Sequence, residues 1–357
     1  MATPEARPLK IWRVIDANLN RTGEGLRVLE DLARLVLDDA ALSQQLKILR
    51  HQLLSGDVPL NTKLVDARDS QGDVGVNTLA PGQEKEKELP LVVVANARRV
   101  QESLRTIDEL AKTQDMTPKL DPDKFKQARF SLYTIERELL AKLLRQDKAQ
   151  RLSGLHAIID TQALAGRSHV EAARRIIQGG ATTIQLRDKP TSKRELLPIA
   201  RQLRALCAER SVLFIVNDYL DLVLATDADG LHLGQNDLPI KIARKLLPID
   251  KILGCSVTTV DQAVAAESDG ADYVAVGSIY PTPTKGTAVI IGLEKLRQVR
   301  QAIKSPLVAI GGITKDNAAE VIAAGADSVA VISAILCAES AEVASREIAA
   351  RIETEHE

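Results

Sequence analysis

The stretch that decides the fold is Tyr273-Val-Ala-Val-Gly-Ser-Ile-Tyr-Pro-Thr-Pro-Thr-Lys285. Its apolar first part predicts a buried β-strand. The end of that run carries two hydroxyl groups, on Thr282 and Thr284, directly before the ammonium group of Lys285. Hydroxyl and ammonium groups on a loop after a strand indicate a phosphate-binding loop.

Seven further apolar, β-branched runs surround this one, and helical segments separate them. Near-continuous apolar strands are typical of a parallel sheet that is buried on both faces. Eight such units in about 200 residues predict an α/β fold, a (β/α)8 TIM barrel. A doubly wound open sheet has the same order of elements and is the alternative. The runs cover residues 155–160, 182–187, 213–218, 230–235, 251–257, 273–280, 306–313 and 328–335.

The first part of the chain has a different pattern. Apolar residues recur with a helical period, which predicts a mostly α-helical N-terminal domain at 1–145. A polar stretch ending in Ser-Gly predicts a linker at 146–154, and the barrel follows at 155–352. The clearest helical segments are 12–37, 95–112 and 123–145.

Two of these helices carry the same pattern, R-x-x-E-x-L-R-x-x-[DE]-[DE]-L-A, at 21–33 and 99–111. One interpretation is ion pairing three and four residues apart on two amphipathic helices. The other is a polar site between two equivalent helices, which Asn18, Asn20 and Asn96 favour. The polar loop 66–75 is a candidate for ligand contact, and the charged stretch 81–88 predicts a surface loop.

Composition excludes several classes of function. A net charge of −1 and an aromatic content of 2% predict no nucleic-acid partner. The sequence has no signal peptide and no membrane-spanning run, so we expect no membrane partner. Cys207, Cys255 and Cys337 are too widely spaced for a metal or disulfide framework. Buried thiols and a cytoplasmic location are therefore expected.

The end of the second run provides cations. Gln185-Leu-Arg187-Asp-Lys189 has an amide and two cationic groups within five residues. Alternation along a strand puts Gln185 and Arg187 on one face, and Lys189 falls in the next loop. Surface exposure of both cations is the alternative to an anion-binding role.

Carboxylates end the next two runs. Asp218 is the last residue of the third run, after Asn217, and Asp237 follows the fourth. Two carboxylates brought together repel each other unless a cation lies between them, and Mg²⁺ takes one or two carboxylates plus substrate phosphates. Capping of the following helix by either aspartate is the alternative.

The remaining strand ends carry hydroxyl groups and glycines. Ser256 ends the fifth run, Gly311-Gly312 the seventh, and Ile332-Ser333 the eighth. Backbone N–H groups after the last two strands of such barrels often bind a phosphate. His232 lies inside the fourth run, where a packed or hydrogen-bonded residue is expected. No dinucleotide-binding motif follows a strand.

Taken in order, these motifs resemble the thiamine-phosphate synthase family over about residues 152–352. The segments that carry the resemblance are 179–189, 216–218, 228–239, 280–285 and 309–314. The family consists of transferases that join 4-amino-2-methyl-5-hydroxymethylpyrimidine diphosphate to 4-methyl-5-(2-hydroxyethyl)thiazole phosphate. The products are thiamine phosphate and diphosphate.

The resemblance also implies roles for individual residues. Lys189, Lys285 and Asn217 would be catalytic, and Asp218 and Asp237 would hold Mg²⁺. The implied substrate-binding residues are Gln185, Leu186, Arg187, Asp188, Lys189, Asn217, Ser256, Thr282, Pro283, Thr284, Lys285, Gly312, Ile332 and Ser333. The implied partners are these two small molecules, and a homo-oligomer is left open.

The stretch 20–31 resembles a hydroxymethylpyrimidine phosphate kinase domain that is fused to some thiamine-phosphate synthases. This resemblance implies that one chain makes the diphosphate and consumes it. The alternative for the whole chain is a thiazole phosphate tautomerase-like barrel. Its N-terminal domain would then serve only in oligomerisation.

Overall fold

The structure, a computed structural model, describes residues 6–56, 58–68, 88–114, 116, 120–282 and 289–353. The chain divides into two compact units, Met1–Leu144 and Arg145–Glu357. Separate clusters of buried apolar side chains stabilise the two units. The loop predicted at 66–75 lies largely outside the described residues, as does most of the charged stretch at 81–88.

Unit 1 is helical, as predicted. The helices are α1 (Ala6–Asp31), α2 (Ala40–Leu54), α3 (Val58–Asp66), α4 (Leu89–Ala111) and α5 (Pro122–Gln150), with a π-helical turn at Leu32–Val36 after α1. Helices α2 and α3 were not predicted from the sequence. Asp39 caps α2 by accepting hydrogen bonds from the backbone N–H groups of Ala41 and Leu42, a signal that the sequence carries.

Residues 146–150, the first part of the predicted linker at 146–154, are helical. Helix α5 continues to Gln150, and the first strand begins at Gly154. Between Pro122 and Gly154 there is neither proline nor glycine to end the helix. A polar side chain of this segment forms a hydrogen bond outside the helix: Nζ of Lys148 donates to the backbone carbonyl of Asp250 at 2.8 Å.

The repeated motif forms similar contacts in α1 and α4. In each helix an arginine pairs with acidic residues three and four positions later, as the ion-pair interpretation predicts. Asn18 and Asn96 both donate to a backbone carbonyl four residues earlier. The pairs are Arg27 with Glu30 (3.8 Å) and Asp31 (3.4 Å), and Arg105 with Asp108 (3.9 Å) and Glu109 (2.8 Å).

Helices α1 and α4 approach each other closely at Gly25. A Cβ atom there would lie 2.5 Å from Cγ2 of Val100 and 3.2 Å from the carbonyl oxygen of Asn96. Both atoms belong to α4, and neither is the end of a flexible side chain. Glycine at position 25 is therefore required by packing rather than by backbone conformation.

Unit 2 is a closed barrel of eight parallel strands in sequence order, which confirms the predicted fold. Pairing of the first strand with the last excludes the open sheet. The strands are β1 (Gly154–Asp160), β2 (Ala181–Arg187), β3 (Leu213–Asn217), β4 (Gly230–Leu233), β5 (Ile252–Val257), β6 (Tyr273–Val276), β7 (Leu307–Ile310) and β8 (Ser328–Val331).

Helices follow the strands and cover the outside of the barrel. They are α6 (Thr161–Leu164), α7 (His169–Gln178), α8 (Lys193–Glu209), α9 (Leu220–Thr226), α10 (Ile240–Leu246), α11 (Val260–Ser268), α12 (Gly292–Ala302), α13 (Ala318–Ala323), α14 (Ser333–Leu336) and α15 (Ala341–Glu353).

Alternation along the strands creates two apolar layers. One fills the space between strands and helices. The other lies inside the barrel and includes Ile158, Ile215, Tyr273 and Val308. The polar side chains that point into the barrel therefore pack against this inner apolar layer, which restricts their conformations.

Aspartates at the N-terminal ends of β4, β6 and β8 join neighbouring strands in the same way. Each accepts a hydrogen bond from a backbone N–H of the preceding strand, and each pairs with an arginine of a preceding helix. The three sets are Asp229 with Phe214 (3.0 Å) and Arg204 (3.7 Å), Asp272 with Leu253 (2.8 Å) and Arg244 (2.9 Å), and Asp327 with Leu307 (2.7 Å) and Arg300 (2.9 Å).

Cys207 and Cys255 are buried, as expected, but Cys337 is exposed. Cys337 follows α14, whose Ile335 and Leu336 take the inward positions, so the next residue faces solvent. Within the described residues, no helix combines the length and the apolar character needed to span a membrane.

The contact at Gly25 generates a stability prediction. Gly25→Ala gains helix propensity of about 1 kcal/mol but overpacks α1 against α4, which typically costs about 1–3 kcal/mol. We expect a net loss of stability for unit 1, measured by urea unfolding. Gly23→Ala is the matched control, because its Cβ meets only the flexible end of Leu54. Equal stability of the two variants would contradict the packing argument.

Candidate active site

A cavity of about 760 Å³ opens at the C-terminal ends of the barrel strands. It brings together predicted residues from seven separate segments of the sequence. Gln185 and Arg187 both line it, as the alternation along β2 predicts. The predicted residues that line the cavity are Gln185, Arg187, Lys189, Asn217, Asp218, Asp237, Ser256, Thr282, Gly312, Ile332 and Ser333.

Two predicted binding residues do not line the cavity. Leu186 is buried in the layer between strands and helices. Asp188 is buried and accepts hydrogen bonds from the hydroxyl of Thr161 and from the backbone N–H of Thr191. Its carboxylate therefore holds the loop that carries Lys189. Pro283, Thr284 and Lys285 lie outside the described residues.

The two described cations of the cavity have carboxylate partners. Arg187 forms an ion pair with Asp160, and Asp160 also accepts a hydrogen bond from the backbone N–H of Ala163 at 3.0 Å. These contacts orient the Arg187 guanidinium. Lys189 is more exposed, and its Nζ lies 3.5 Å from Oδ2 of Asp218.

Asp218 and Asp237 form a pair of like charges. Burial raises the pKa of Asp218, and the neighbouring Asp237 raises it further, while Lys189 acts in the opposite direction. Asp218 also has a positive φ of 63°, a conformation that few residues other than glycine, asparagine and aspartate adopt readily. A carboxylate whose charge is disfavoured by burial and by a neighbouring carboxylate is typical of a binding site.

Neither aspartate caps the helix that follows it, so the capping alternative is wrong. The residues before α9 and α10 are Tyr219 and Pro239, and neither provides a side-chain cap. Asp237 instead accepts a hydrogen bond from the backbone N–H of Gly234 at 2.7 Å.

The carboxylate pair fits a divalent cation shared with a ligand. Among the described residues, no group of three or more His, Cys, Asp or Glu side chains forms a complete protein site for a metal. Mg²⁺ is commonly held by only one or two carboxylates, with phosphate oxygens and water completing its coordination. The repulsion between Asp218 and Asp237 is the kind that such a cation relieves.

Gly311 and Gly312 lie against the segment that follows β6. Both have positive φ, 103° and 67°. A Cβ at Gly311 would lie 2.0 Å from Oγ of Ser278, and one at Gly312 would lie 2.5 Å from the carbonyl oxygen of Pro281. Glycine is thus needed here for packing between two loops, as well as for backbone conformation.

Part of the cavity floor was not predicted from the sequence. His156 lines the cavity, and its Nε2 lies 3.1 Å from Nε2 of Gln185. Burial, with a smaller effect of His232, lowers the pKa of His156 to about 3, so the ring is neutral at pH 7. The alternation of side chains along β1 could have identified this residue, because His156 lies between Leu155 and Ala157, which face outward.

His232 is hydrogen-bonded, as expected from the sequence, but it also lines the cavity. Its Nδ1 lies 2.9 Å from the hydroxyl of Tyr273, and its Nε2 lies 2.8 Å from Oγ of Ser256. Tyr273 begins β6, the strand that leads to the predicted phosphate-binding loop. Its own contact with a histidine was not predicted, because β4 and β6 are separated by β5 in the sheet.

Comparison with known proteins gives a consistent result over the whole chain. A family model described as thiamine monophosphate synthase matches residues 155–335. A second model, described as the ThiD2 family, matches residues 13–138. The two matches fall in the two structural units.

Individual relatives agree with these matches. A thiamine-phosphate synthase of Thermosynechococcus vestitus is 38% identical over 349 residues, covering 98% of this chain and 97% of that protein. One of Moorella thermoacetica is 53% identical over 195 residues, covering 54% of this chain and 93% of that protein.

Among solved structures, a thiamine phosphate pyrophosphorylase of Pyrococcus furiosus superimposes with a TM-score of 0.54 and 42% identity. It covers 57% of this chain and 98% of its own. With matched motifs, a matched barrel and a relative that is similar along almost its full length, the chain belongs to the thiamine monophosphate synthase family.

Proposed function

We propose that the barrel joins 4-amino-2-methyl-5-hydroxymethylpyrimidine diphosphate to 4-methyl-5-(2-hydroxyethyl)thiazole phosphate. The products are thiamine phosphate and diphosphate. One observation carries the proposal: a single cavity has cations and a carboxylate pair on one side, and glycines with a helix start on the other. Such a cavity provides two chemically different phosphate sites in one space.

The diphosphate site is formed by the ends of β2, β3 and β5. Arg187 and Lys189 provide positive charge, while Asn217 and Ser256 provide neutral hydrogen-bonding groups. Lys285, at the end of the segment after β6, adds a second ammonium group by resemblance to the family. These groups would stabilise the negative charge that develops on the leaving diphosphate.

Asp218 and Asp237 are the residues that would hold Mg²⁺ in this site. When bound, the metal would neutralise charge on the diphosphate oxygens and so make the diphosphate a better leaving group. The raised pKa of Asp218 supports this assignment, because burial and a neighbouring carboxylate disfavour its negative charge until a cation is present.

The thiazole phosphate would bind on the opposite side. Gly312, Ile332 and Ser333 line this side of the cavity, together with Thr282. Thr284 joins them by resemblance to the family. This side relies on hydroxyl and backbone groups, which suits a monophosphate that keeps its charge throughout the reaction.

The proposed mechanism is dissociative. The C–O bond to the diphosphate breaks first, and its electron pair leaves with the diphosphate. The resulting pyrimidine cation is then captured by the lone pair of the thiazole nitrogen, which forms the new C–N bond. Such a reaction depends on charge stabilisation and on the placement of the two reactants rather than on proton transfer. A neutral, deeply buried His156 is compatible with this requirement.

The tautomerase-like alternative needs only the monophosphate side of the cavity. Lys189, Asp218 and Asp237 would then have no ligand, and the repulsion between the two carboxylates would be offset only in part by Lys189 among the described residues. The presence of all three side chains around one cavity favours the synthase.

For unit 1, we propose phosphorylation of the pyrimidine monophosphate to the diphosphate that the barrel uses. The match of residues 13–138 to the ThiD2 family and the resemblance at 20–31 support this proposal. A purely oligomerising role is the competing hypothesis for this unit.

The synthase proposal predicts metal-dependent turnover by the full chain. Thiamine phosphate should form from the two substrates with Mg²⁺ and should not form with EDTA. Asp218→Ala, Asp237→Ala and Lys285→Ala should each lower kcat by at least about 10²-fold, because each removes stabilisation of the leaving group. Asp261→Ala, an exposed aspartate of α11, is the control. Wild-type kcat in any of the three variants would refute the role of that residue.

The raised pKa of Asp218 predicts a pH-dependent stability effect. A raised pKa in the folded state means that stability is greatest below the ordinary value of 3.8 and is lost as pH rises through the folded value. Without metal, Asp218→Asn should therefore raise Tm at pH 7, with the difference shrinking toward pH 4. Asparagine tolerates the positive φ.

Addition of Mg²⁺ with inorganic diphosphate should reverse the order of the two proteins. The wild type should gain thermal stability by ligand binding, whereas Asp218→Asn should gain little. Equal gains in both proteins would show that Asp218 does not hold the metal.

The kinase proposal is tested in the full chain with the barrel inactivated by Asp237→Ala. ATP-dependent conversion of the pyrimidine monophosphate to the diphosphate should persist and should accumulate product, because the barrel no longer consumes it. Absence of the diphosphate from a folded sample would favour the oligomerising role.

A further inference from the structure

Three polar side chains form a continuous hydrogen-bonded chain inside the barrel. The hydroxyl of Tyr273, on β6, lies 2.9 Å from Nδ1 of His232, on β4. Nε2 of His232 lies 2.8 Å from Oγ of Ser256, on β5. Tyr273 is fully buried and His232 is 6% exposed, so the bond between these two side chains is shielded from water. Ser256 and His232 both line the cavity.

The absence of a side chain at Gly254 makes space for the ring of Tyr273. Gly254 lies on β5, next to the aromatic ring. A Cβ at position 254 would lie 2.1 Å from Cζ of Tyr273 and 2.5 Å from its hydroxyl oxygen. Glycine at this position therefore makes space for the phenol, and the strand brings Ser256 to the other end of the chain two residues later.

The proton positions along the chain follow from the burial of Tyr273. Burial raises the pKa of Tyr273 well above its usual value, so the hydroxyl keeps its proton. Among the described residues, the hydrogen-bond partner of this hydroxyl is Nδ1 of His232. If Nδ1 carried a proton, the buried tyrosine proton would have no acceptor there, which is unfavourable. Tyr273 therefore donates to Nδ1, and His232 carries its proton on Nε2.

Among the described residues, the hydrogen-bond partner of Oγ of Ser256 is His232, so the hydroxyl keeps its own proton and one lone pair. Its oxygen accepts the hydrogen bond from the N–H at Nε2 of His232, so its own proton is available to the cavity. The backbone carbonyl of Ser256 is also held, because it accepts a hydrogen bond from Gln235 at 2.8 Å. The side chain and the backbone of Ser256 are thus both oriented by neighbours.

We propose that Tyr273 and His232 are positioning residues that keep Ser256 as a hydrogen-bond donor toward the leaving diphosphate. The assignment rests on the synthase function proposed above. No proton is transferred in this role: the chain fixes the direction of each hydrogen bond before the substrate arrives. A donor fixed in advance stabilises developing charge without reorganisation during the reaction.

The direct test is the tautomer of His232 in the full chain. The chain has five histidines, and protonated and unprotonated ring nitrogens are well separated in the ¹⁵N spectrum of protein labelled in histidine. We expect the wild type to show Nε2 protonated and Nδ1 unprotonated for His232, assigned by comparison with His232→Gln. Tyr273→Phe should shift His232 toward the other tautomer. A protonated Nδ1 in the wild type would overturn the proposal.

Steady-state kinetics test the effect on catalysis. Ser256→Ala should lower kcat by about 10²-fold, as loss of one preorganised donor does. Tyr273→Phe should lower kcat by about tenfold with KM values within about twofold, since the donor is misdirected but present. Because both changes act through the same hydrogen bond, the double variant should be no slower than Ser256→Ala. Multiplication of the two effects would contradict the proposed chain.

A conservative replacement separates positioning from packing. His232→Gln keeps an N–H donor within reach of Ser256, whereas His232→Leu removes it. We expect the glutamine variant to retain about tenfold more kcat than the leucine variant, and equal loss would favour a packing role. His51→Gln and Tyr133→Phe are matched controls, both exposed in unit 1. A wild type without synthase turnover would refute the proposed function, while the ¹⁵N spectrum would still decide the hydrogen-bond direction.

Discussion

Closure of the sheet through the pairing of β1 with β8 is the constraint on which the active site depends. In that pairing Ala157 lies opposite Val331, so the first and last strands of the barrel are neighbours. All eight strands are parallel, and closure therefore brings every C-terminal strand end around one opening. Gln185 and Ser333, far apart in sequence, line the same cavity for this reason alone.

Within that opening the chemistry is organised by charge. The Arg187 guanidinium has Asp160 as a fixed partner. Asp218 and Asp237 are like charges near each other, and among the described residues Lys189 opposes their repulsion. Because burial and Asp237 both disfavour the negative charge of Asp218, a cation between the two carboxylates would reduce their repulsion.

The rim of the cavity was more predictable than its floor. Eight apolar runs indicated a barrel. Each strand lies within its predicted run or begins one residue before it. Most polar residues near the end of a run were therefore predicted correctly to lie at the rim of the cavity. The contacts of His156, His232 and Tyr273 depend instead on distances across the barrel, which the sequence does not contain. Helices α2 and α3 lie outside the repeated motif. The first part of the predicted linker, residues 146–150, extends helix α5, since neither proline nor glycine occurs there to end the helix.

The repeated aspartates at the N-terminal ends of β4, β6 and β8 lie at the opposite end of the barrel from the cavity. They join strand to strand and strand to helix without using any residue that lines the cavity. The interactions that join the strands and the residues that line the cavity thus lie at different ends of the same strands. A lineage carrying this barrel can explore new side chains at the cavity while its architecture is preserved, which makes the scaffold a tolerant starting point for the evolution of new substrates.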